Sequence, residues 1–454
     1  MRRHLRRGIA SGSLVALALF GGLPAQAAKT PAYAITKAKV VTVSGAVIEN
    51  ATVVFRDGVI LEVGANATIP KDARIIDGTG MTVTPGLIDA YSGAGMPAAR
   101  TGGGGAGGGG GAAAAAATPA ANPVAPASNI YDRFRASEAL RARDGGVTTI
   151  VPIPREGLVY GSAAVMDLVG QNAEGMVVKP NIALAAAITT LQQRYPGSLM
   201  GTMAFYRQAL MDGTYHRAEV AAYEKAPSGK KRPAFDPGLD VWAEVASGNL
   251  PLLLQTSRVN DLRRAFALAD EFKLKVLLAG NTQASEEAAL LKDRKAAILV
   301  SVNYDPPRAG GGGGFGGGGG DDDRERADIE AAEKNPANLD KEGVKFALVS
   351  GFATDFLAGI RKAVDRGLAR DKALRAVTLT PAEILGVADR MGSLEKGKIA
   401  NVVVWSGEPL TREAKVKMVF VDGELYEPDE RPAGPPGGGG PRPGDDRGDI
   451  EVKR

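Results

Sequence analysis

The stretch from residue 250 to residue 293 indicates the fold class. Leu250-Pro251-Leu252-Leu253-Leu254-Gln255 is a short apolar run that precedes a helical pattern over Val259–Lys273. Lys275-Val276-Leu277-Leu278-Ala279 is a second apolar run, and it precedes a helical pattern over Ser285–Asp293. Continuous apolar strands that alternate with helices predict a parallel sheet covered on both faces.

The same alternation continues on both sides of this stretch. Helical patterns follow at Phe356–Gly367 and Asp371–Leu379. Further apolar strands are predicted at Val147–Val151, Asn181–Ala186, Ala296–Val302 and Val344–Ser350. With this many repeats, the leading architecture for residues 85–390 is a TIM-like (β/α)8 barrel, an α/β fold whose active sites lie at the carboxyl ends of the strands.

Shorter β segments flank the predicted barrel. Ala51–Phe55 and Val59–Gly64 are β-rich runs on either side of Asp57-Gly58, and an Asp-Gly pair in that position is a strong hairpin signal. From Met391 the chain returns to the same short-strand pattern. We therefore expect residues 28–84 and 391–426 to form one small, discontinuous β-sandwich domain.

Residues 1–27 have the pattern of a secretory signal peptide, with four arginines, the apolar stretch Ile9–Leu23 and the cleavage site Ala25-Gln26-Ala27. Loss of those four arginines would reduce the 55 basic residues to 51, which equals the 51 acidic ones. A neutral mature chain has no basic surface for nucleic acid or anionic lipid. Since the chain has no Cys, it also lacks disulfides and a lipidated anchor. We expect a periplasmic or secreted protein.

Two low-complexity insertions interrupt the predicted barrel. Gly102–Gly111 runs into an alanine tract, and Gly310–Gly320 runs into Asp321-Asp322-Asp323, an acidic run that we expect to be solvated. Polyglycine cannot bury enough apolar surface to offset its ordering entropy. We therefore predict disordered insertions near 101–128 and 308–323, and a disordered tail over 427–454. Each insertion follows a predicted strand, so in a barrel both would lie on the active-site face.

Motifs at both ends of the predicted barrel resemble the amidohydrolase superfamily, in its imidazolonepropionase-like branch. They are Thr82-Val83-Thr84-Pro85-Gly86-Leu87-Ile88-Asp89 before the barrel and Gly392-Ser393-Leu394-Glu395-Lys396-Gly397 after it. The segment Ala376–Gly386 is similar to that family's final helix. The resemblance implies hydrolysis of C–N bonds in small cyclic amides, amidines or dipeptide-like substrates. It also implies one or two divalent metal ions, zinc above all, that activate water.

The sequence departs from the family at nearly every metal-ligand position that the resemblance implies. Where the family continues Asp-x-His-x-His, this chain has Asp89-Ala90-Tyr91-Ser92-Gly93, so Tyr91 and Gly93 stand at the ligand positions. The remaining family ligands are replaced by Gln255 or Ser257, Gly280 and Gly351. Asp355 lies four residues after Gly351 and could substitute for the missing Asp, although a helix cap is the favoured interpretation.

The histidine count leads to the same conclusion without any alignment. The chain has two His and no Cys, and the mature chain would keep His216 alone, in a polar stretch that favours a surface position. One His cannot build a His-rich zinc centre. We therefore predict no zinc cofactor, while an all-oxygen magnesium or calcium site stays open, with no acidic spacing to favour it.

The polar side chains expected at the strand ends are uncharged or basic, apart from Asp89 and, beyond the last strand, Asp355. The other candidates are Tyr91, Arg155, Gln255, Ser257, Arg258, Asn281 and Asn303. Such a set can hydrogen-bond an amide or a carboxylate, and it contains no evident group to activate water.

Two functional hypotheses follow. The first is an exported pseudoenzyme of the amidohydrolase fold that has lost its metal centre. It would bind a small amide or carboxylate, or act as the partner subunit of an intact amidohydrolase paralogue. The alternative is an active hydrolase of non-peptide C–N bonds with an atypical or absent metal centre.

Overall fold

The computed structural model describes residues 32–97, 123–191, 194–304 and 322–428. The predicted signal peptide, both glycine runs and the tail from residue 429 lie outside the described residues. Within those ranges, no helix is both long enough and apolar enough to cross a membrane.

Strands from both ends of the chain form one eight-stranded sheet. The first five are β1 (Tyr33–Val41), β2 (Val47–Arg56), β3 (Val59–Gly64), β4 (Arg74–Asp77) and β5 (Thr82–Pro85). The chain returns to this sheet much later with the last three strands, β14 (Val402–Trp405), β15 (Val416–Val421) and β16 (Glu424–Tyr426). The turn between β2 and β3 lies at Asp57-Gly58, where the sequence predicts it.

This composite sheet is continuous because β5 and β14 pair antiparallel. It also curls on itself, since the ring of Phe55 on β2 lies 4.8 Å from that of Phe420 on β15, although three strands separate β2 from β15. Tyr33 packs against both rings. Strands from the two predicted segments thus form a single curled sheet that encloses its own apolar core.

A second eight-stranded sheet carries the large core of the protein. Its strands are β6 (Leu87–Ser92), β7 (Val147–Pro152), β8 (Val159–Asp167), β9 (Val177–Ala187), β10 (Leu252–Gln255), β11 (Val276–Ala279), β12 (Ile298–Ser301) and β13 (Phe346–Val349). The helices of the described chain are α1 (Ala136–Ala139), α2 (Leu199–Lys225), α3 (Pro237–Ala246), α4 (Val259–Phe272), α5 (Ala288–Asp293), α6 (Asp322–Lys341), α7 (Phe356–Asp365), α8 (Arg370–Ala376) and α9 (Leu379–Leu385).

The prediction of an α/β fold with parallel strands is confirmed, but the sheet is not parallel throughout. Strand β8 runs antiparallel to both neighbours, β7 and β9. Residues 153–158 connect β7 to β8. This link is shorter than the dozen or so residues that a parallel crossover needs, so the chain must reverse direction.

The two edge strands of this sheet, β6 and β13, approach each other without forming a ladder in the described residues. They are joined near their carboxyl ends, where the backbone N–H of Ser350 donates to Asp89 Oδ1 at 2.9 Å and that of Gly351 donates to Tyr91 O at 3.2 Å. The sheet therefore has the strand order of a barrel, but its hydrogen-bonded ladder does not close.

Three further expectations need correction. Residues 123–128, predicted to be part of a disordered insertion, run beside β8, where the Val159 N–H donates to Pro123 O at 3.0 Å. Helix α6 begins at Asp322, inside the second predicted insertion. His216, expected at the surface, is buried in α2 with Nε2 3.3 Å from Asp240 Oδ1. It is buried because α2 packs closely on α3, where Gly213 leaves room for the backbone of Ala243.

A buried polar cluster joins the two sheets. Asp167 accepts hydrogen bonds from the Thr149 hydroxyl at 2.6 Å and from Asn401 Nδ2 at 3.1 Å. Burial raises the pKa of Asp167 to about 6, and these two hydrogen bonds oppose the rise without cancelling it. The folded chain therefore holds a carboxyl that gives up its proton less readily than it does in the unfolded chain.

The pH dependence of stability should reveal this carboxyl. A raised folded-state pKa means that the native state binds more protons than the unfolded state between about pH 4 and pH 6, so stability falls as the pH rises through that window. We expect the free energy of unfolding of the wild type, relative to Asp167→Asn, to fall by up to about 3 kcal/mol between pH 4 and pH 7. Urea denaturation at a series of pH values measures this difference.

Asp270→Asn is the matched control. Asp270 is exposed, and its hydrogen bond with Arg294 lowers its pKa, so this carboxylate stays ionised across the window. The difference in free energy of unfolding between the wild type and Asp270→Asn should therefore not change between pH 4 and pH 7. If the difference for Asp167→Asn does not change either, the raised pKa of Asp167 is refuted.

Candidate functional site

Most of the predicted site residues lie at the carboxyl ends of the strands of the second sheet. Tyr91 and Asp89 are on β6, Gln255 ends β10, and Arg155 follows β7. Parallel strands bring these ends to one edge, which is where β/α proteins place their sites. We call this edge the mouth.

Asp89 is a buried carboxylate between the first and last strands of the sheet. Besides the bond from Ser350, its Oδ1 lies 3.4 Å from the backbone N of Tyr91. Burial raises the pKa of Asp89, while the hydrogen bonds from Ser350, Ser92 and Tyr91 act in the opposite direction. Asp89 therefore anchors the strand ends and also lines a pocket beside them.

Tyr91 fills the position where the resemblance implies the first metal ligand. Its side chain is fully buried, and its hydroxyl has no hydrogen-bond partner among the described residues. Burial raises the pKa of Tyr91 well above the usual value. The ring meets that of Phe352 edge-on, with 5.4 Å between the centroids. The two aromatic rings together form what we call the plug.

Gly93, at the second implied ligand position, makes room for the plug. A Cβ atom at residue 93 would lie 2.5 Å from Cδ1 of Phe352. Arg155 also lies against this ring, with its guanidinium 5.2 Å from the centroid and Nη2 donating to Phe352 O at 3.0 Å. A side chain at residue 93 could therefore exist only if Phe352 moved away.

The backbone that leads to Phe352 is unusual. Gly351 and Phe352 both have positive φ, 54° and 73°. A Cβ atom at residue 351 would overlap the Ser301 hydroxyl, so the Asp that the resemblance implies there has no space. A bulky residue in the left-handed region costs about 1–3 kcal/mol, which the surrounding contacts must offset.

Several other predicted site residues hold the local backbone in place. Asn281 is fully buried, donates to Arg258 O at 3.0 Å and accepts from the Gln283 N–H at 2.8 Å. Asn303 donates to Gly351 O at 3.3 Å. Asp355 caps α7 by accepting from the Ala358 N–H at 2.8 Å.

Two pockets adjoin at the mouth and share Arg155. The first has a volume of about 550 Å³, and Asp89, Gly93, Asp355 and Arg155 are among its lining residues. The second, which we call the mouth pocket, has a volume of about 530 Å³ and brings Gln255 and Ser257 together with Arg155.

Tyr160 and Arg194 are among the residues of the mouth pocket that sequence reasoning missed. Tyr160 is on β8, the antiparallel strand that the pattern of apolar runs did not reveal. It donates from its hydroxyl to Gln255 Oε1 at 3.0 Å. Arg194 lies in the connection after β9, and no sequence signal places it near Arg155.

The residues at the mouth do not fit the zinc ion that the resemblance implies. Zinc in proteins is held by Cys, His and carboxylate ligands in tetrahedral geometry. The ligand positions here hold Tyr91, three glycines and either Gln255 or Ser257, and Phe352 occupies the space beside Gly93. Across the described ranges, no group of three or more His, Cys, Asp or Glu is placed to hold a metal.

Comparison with known proteins gives a family match in the last quarter of the chain. Residues 323–426 match the model of the amidohydrolase family. Amidohydrolase tasK of Hapsidospora irregularis is 40% identical over 57 residues, which cover 13% of this chain and 6% of that protein. N-substituted formamide deformylase of Arthrobacter pascens is 37% identical over 82 residues, covering 16% of this chain and 15% of that protein. The matches thus span a small part of either relative.

The fold as a whole is similar to a solved amidohydrolase. The crystal structure of the amidohydrolase from Thermotoga maritima MSB8 superposes with a TM-score of 0.73 at 24% identity, and the match covers 87% of this chain and 100% of that one. At this identity the likeness establishes the fold.

The plug yields a stability prediction. Gly93→Ala should destabilise the protein by about 1–3 kcal/mol, because its methyl group collides with the Phe352 ring. In a Phe352→Ala background the same substitution should cost little, since the ring is gone. A double-mutant cycle measured by denaturant unfolding gives the coupling energy.

Gly407→Ala is the control, because a Cβ at residue 407 meets nothing within 4 Å. It should be close to neutral in both backgrounds. An additive cycle for residues 93 and 352 would show that the two positions do not compete for space.

Proposed function

We propose that this chain is a non-catalytic member of the amidohydrolase family that binds a small molecule at the mouth. Residues 323–426 match the model of that family, and the fold is similar to that of a solved amidohydrolase. In this proposal the ancestral metal centre has been lost, and the pocket around it has been kept for recognition.

The observation that carries the proposal is the plug. Tyr91 and Phe352 occupy the volume at the end of β6 where metal-ligating side chains would have to stand, and Gly93 and Gly351 are the residues that allow it. Reverting one position to His would not rebuild the centre, because a His at residue 93 needs the space of the Phe352 ring. The backbone at residue 351 has no room for an Asp. The loss therefore involves the backbone as well as the side chains.

The mouth has kept features that suit a ligand. Two adjoining pockets of about 550 and 530 Å³ lie within the size range of small-molecule sites. Their shared residue Arg155 is held in place by Phe352, and Gln255 is oriented by Tyr160. Polar groups that are held in position in this way favour a protein that binds a polar ligand at the mouth over one that binds nothing there.

We also propose that the protein is exported and that it acts either alone or as a subunit beside an intact amidohydrolase paralogue. The signal-peptide pattern of residues 1–27 supports export. The alternative, an active hydrolase of non-peptide C–N bonds, is the outcome that the next experiment would reveal if the proposal is wrong.

Metal analysis tests the proposal directly. Purified protein incubated with zinc and then desalted should keep far less than one zinc ion per chain, because Tyr91 and Gln255 offer weak donors in place of imidazole. It should also fail to hydrolyse cyclic amides and dipeptides with added zinc or manganese.

Tyr91→Phe is the matched variant, since it removes the one oxygen donor of β6 at a ligand position and keeps the ring. One tightly held zinc per chain that disappears in this variant would refute the proposal. So would turnover that a chelator abolishes.

A separate measurement tests whether the chain acts as a subunit beside an intact paralogue. Tagged protein recovered from the cell-envelope fraction should co-purify with a His-rich homologue of the same fold, in a fixed ratio that persists through size-exclusion chromatography. Recovery of the chain by itself would refute this form and leave binding by the isolated chain.

A further inference from the structure

The mouth pocket carries an excess of positive charge. Its charged lining residues are Arg155, Arg194 and Glu156, which leaves one net positive charge. Arg155 uses one N–H on the Phe352 carbonyl, and a guanidinium has five, so most of its donors stay free for a ligand. The pocket therefore favours an anion.

Neutral donors complete the pocket. Tyr160 is 3% exposed and donates to Gln255 Oε1, so the amide NH₂ of Gln255 is left to face other groups. Ser257 lines the same pocket, and its backbone N–H is fixed by Asp261 Oδ2 at 3.2 Å. Thr189 and Thr190 add hydroxyls at the end of β9.

Buried hydrogen bonds tie together the framework beneath these donors. The Tyr206 hydroxyl lies 2.7 Å from Ala187 O and 3.0 Å from Leu158 O, which ties α2 to the end of β9 and to the residue that precedes β8. Burial keeps the pKa of Tyr160 above its usual value, so its hydroxyl stays protonated and remains a donor to Gln255. Donors held this way lose little entropy when a ligand arrives.

We propose that the mouth pocket binds a small carboxylate, with Arg155 and Arg194 on the carboxylate and Gln255 on a neighbouring carbonyl of the ligand. This inference rests on the proposed function, since it names the ligand class of the same site. Guanidinium groups match the planar carboxylate in two-point hydrogen bonding. The volume of about 530 Å³ suits a ligand of the size of an acylated amino acid.

A pair of probes that differ in one group tests the proposal. N-acetylglycine and N-acetylglycinamide have the same shape, but the first carries a carboxylate and the second a neutral amide. Titration calorimetry of the full chain should give a Kd on the order of 1 mM or tighter for the acid. The amide should bind at least about 10-fold more weakly, and affinity for the acid should fall as salt is added.

Variants assign the effect to the pocket. Arg194→Gln should weaken binding of N-acetylglycine about 10-fold and leave the weak binding of the amide unchanged, because it removes one charge-assisted hydrogen bond. Gln255→Leu should weaken both probes, since both present the acetyl carbonyl. Arg217→Gln is the control: Arg217 pairs with Glu244 outside this pocket, so the substitution should change neither affinity. Thermal melting shows that each variant is folded.

The outcomes separate this inference from the proposed function. Equal affinity for acid and amide, or binding of neither, would overturn the carboxylate site. Tighter binding of methyl phosphate than of N-acetylglycine would also overturn it, in favour of a phosphate ligand. Release of acetate from N-acetylglycine would refute the non-catalytic function and leave the preference for the acid intact.

Discussion

The hydrogen bond from the Ser350 N–H to Asp89 Oδ1 joins the first and last strands of the large sheet, and the geometry of the mouth depends on it. The described residues of β6 and β13 form no hydrogen-bonded ladder. The buried Asp89 carboxylate therefore helps to hold the carboxyl ends of these two strands together. It fixes the point at which the chain leaves β13. From there two residues with positive φ turn the backbone so that the Phe352 ring lies over Gly93 and against Tyr91. The resulting plug takes up the space that a metal centre would need.

The mouth thus combines the aromatic plug with the polar side chains that line the two pockets. Within the described part of the chain the phenol of Tyr91 is buried without a hydrogen-bond partner, which costs free energy. The contacts of Phe352 with Tyr91 and Arg155 offset part of that cost. Arg155 connects the two halves, because it covers the plug and also lines both pockets. In our proposal this arrangement keeps a recognition surface on a scaffold that no longer needs to activate water, and the pocket selects its ligand by charge.

The sequence predicted the parts of this structure that local pattern controls. The apolar runs at β10, β11, β12 and β13 and the Asp57-Gly58 hairpin lie where the periodicity places them. The pattern failed where tertiary contacts decide. Strand β8 reverses direction because its connection to β7 is short. Helix α2 has little one-sided apolar pattern, because its buried face includes Gly213 and His216 while Met211 and Tyr215 are exposed. His216 looked exposed for the same reason: its neighbours along the chain are polar, while the residues that bury it come from α3.

By itself, the sequence determined how many His and Cys donors the chain can offer to a metal, because these residues can be counted without knowing where they lie. It also determined the two strand-rich ends and the alternation of strands and helices between them. Only the tertiary structure decided which side chain fills the space beside Gly93 and which polar groups converge at the mouth. Phe352 meets Gly93, and Tyr160 orients Gln255, across separations of 259 and 95 residues. Contacts of that range depend on backbone turns and strand direction, which no local pattern specifies.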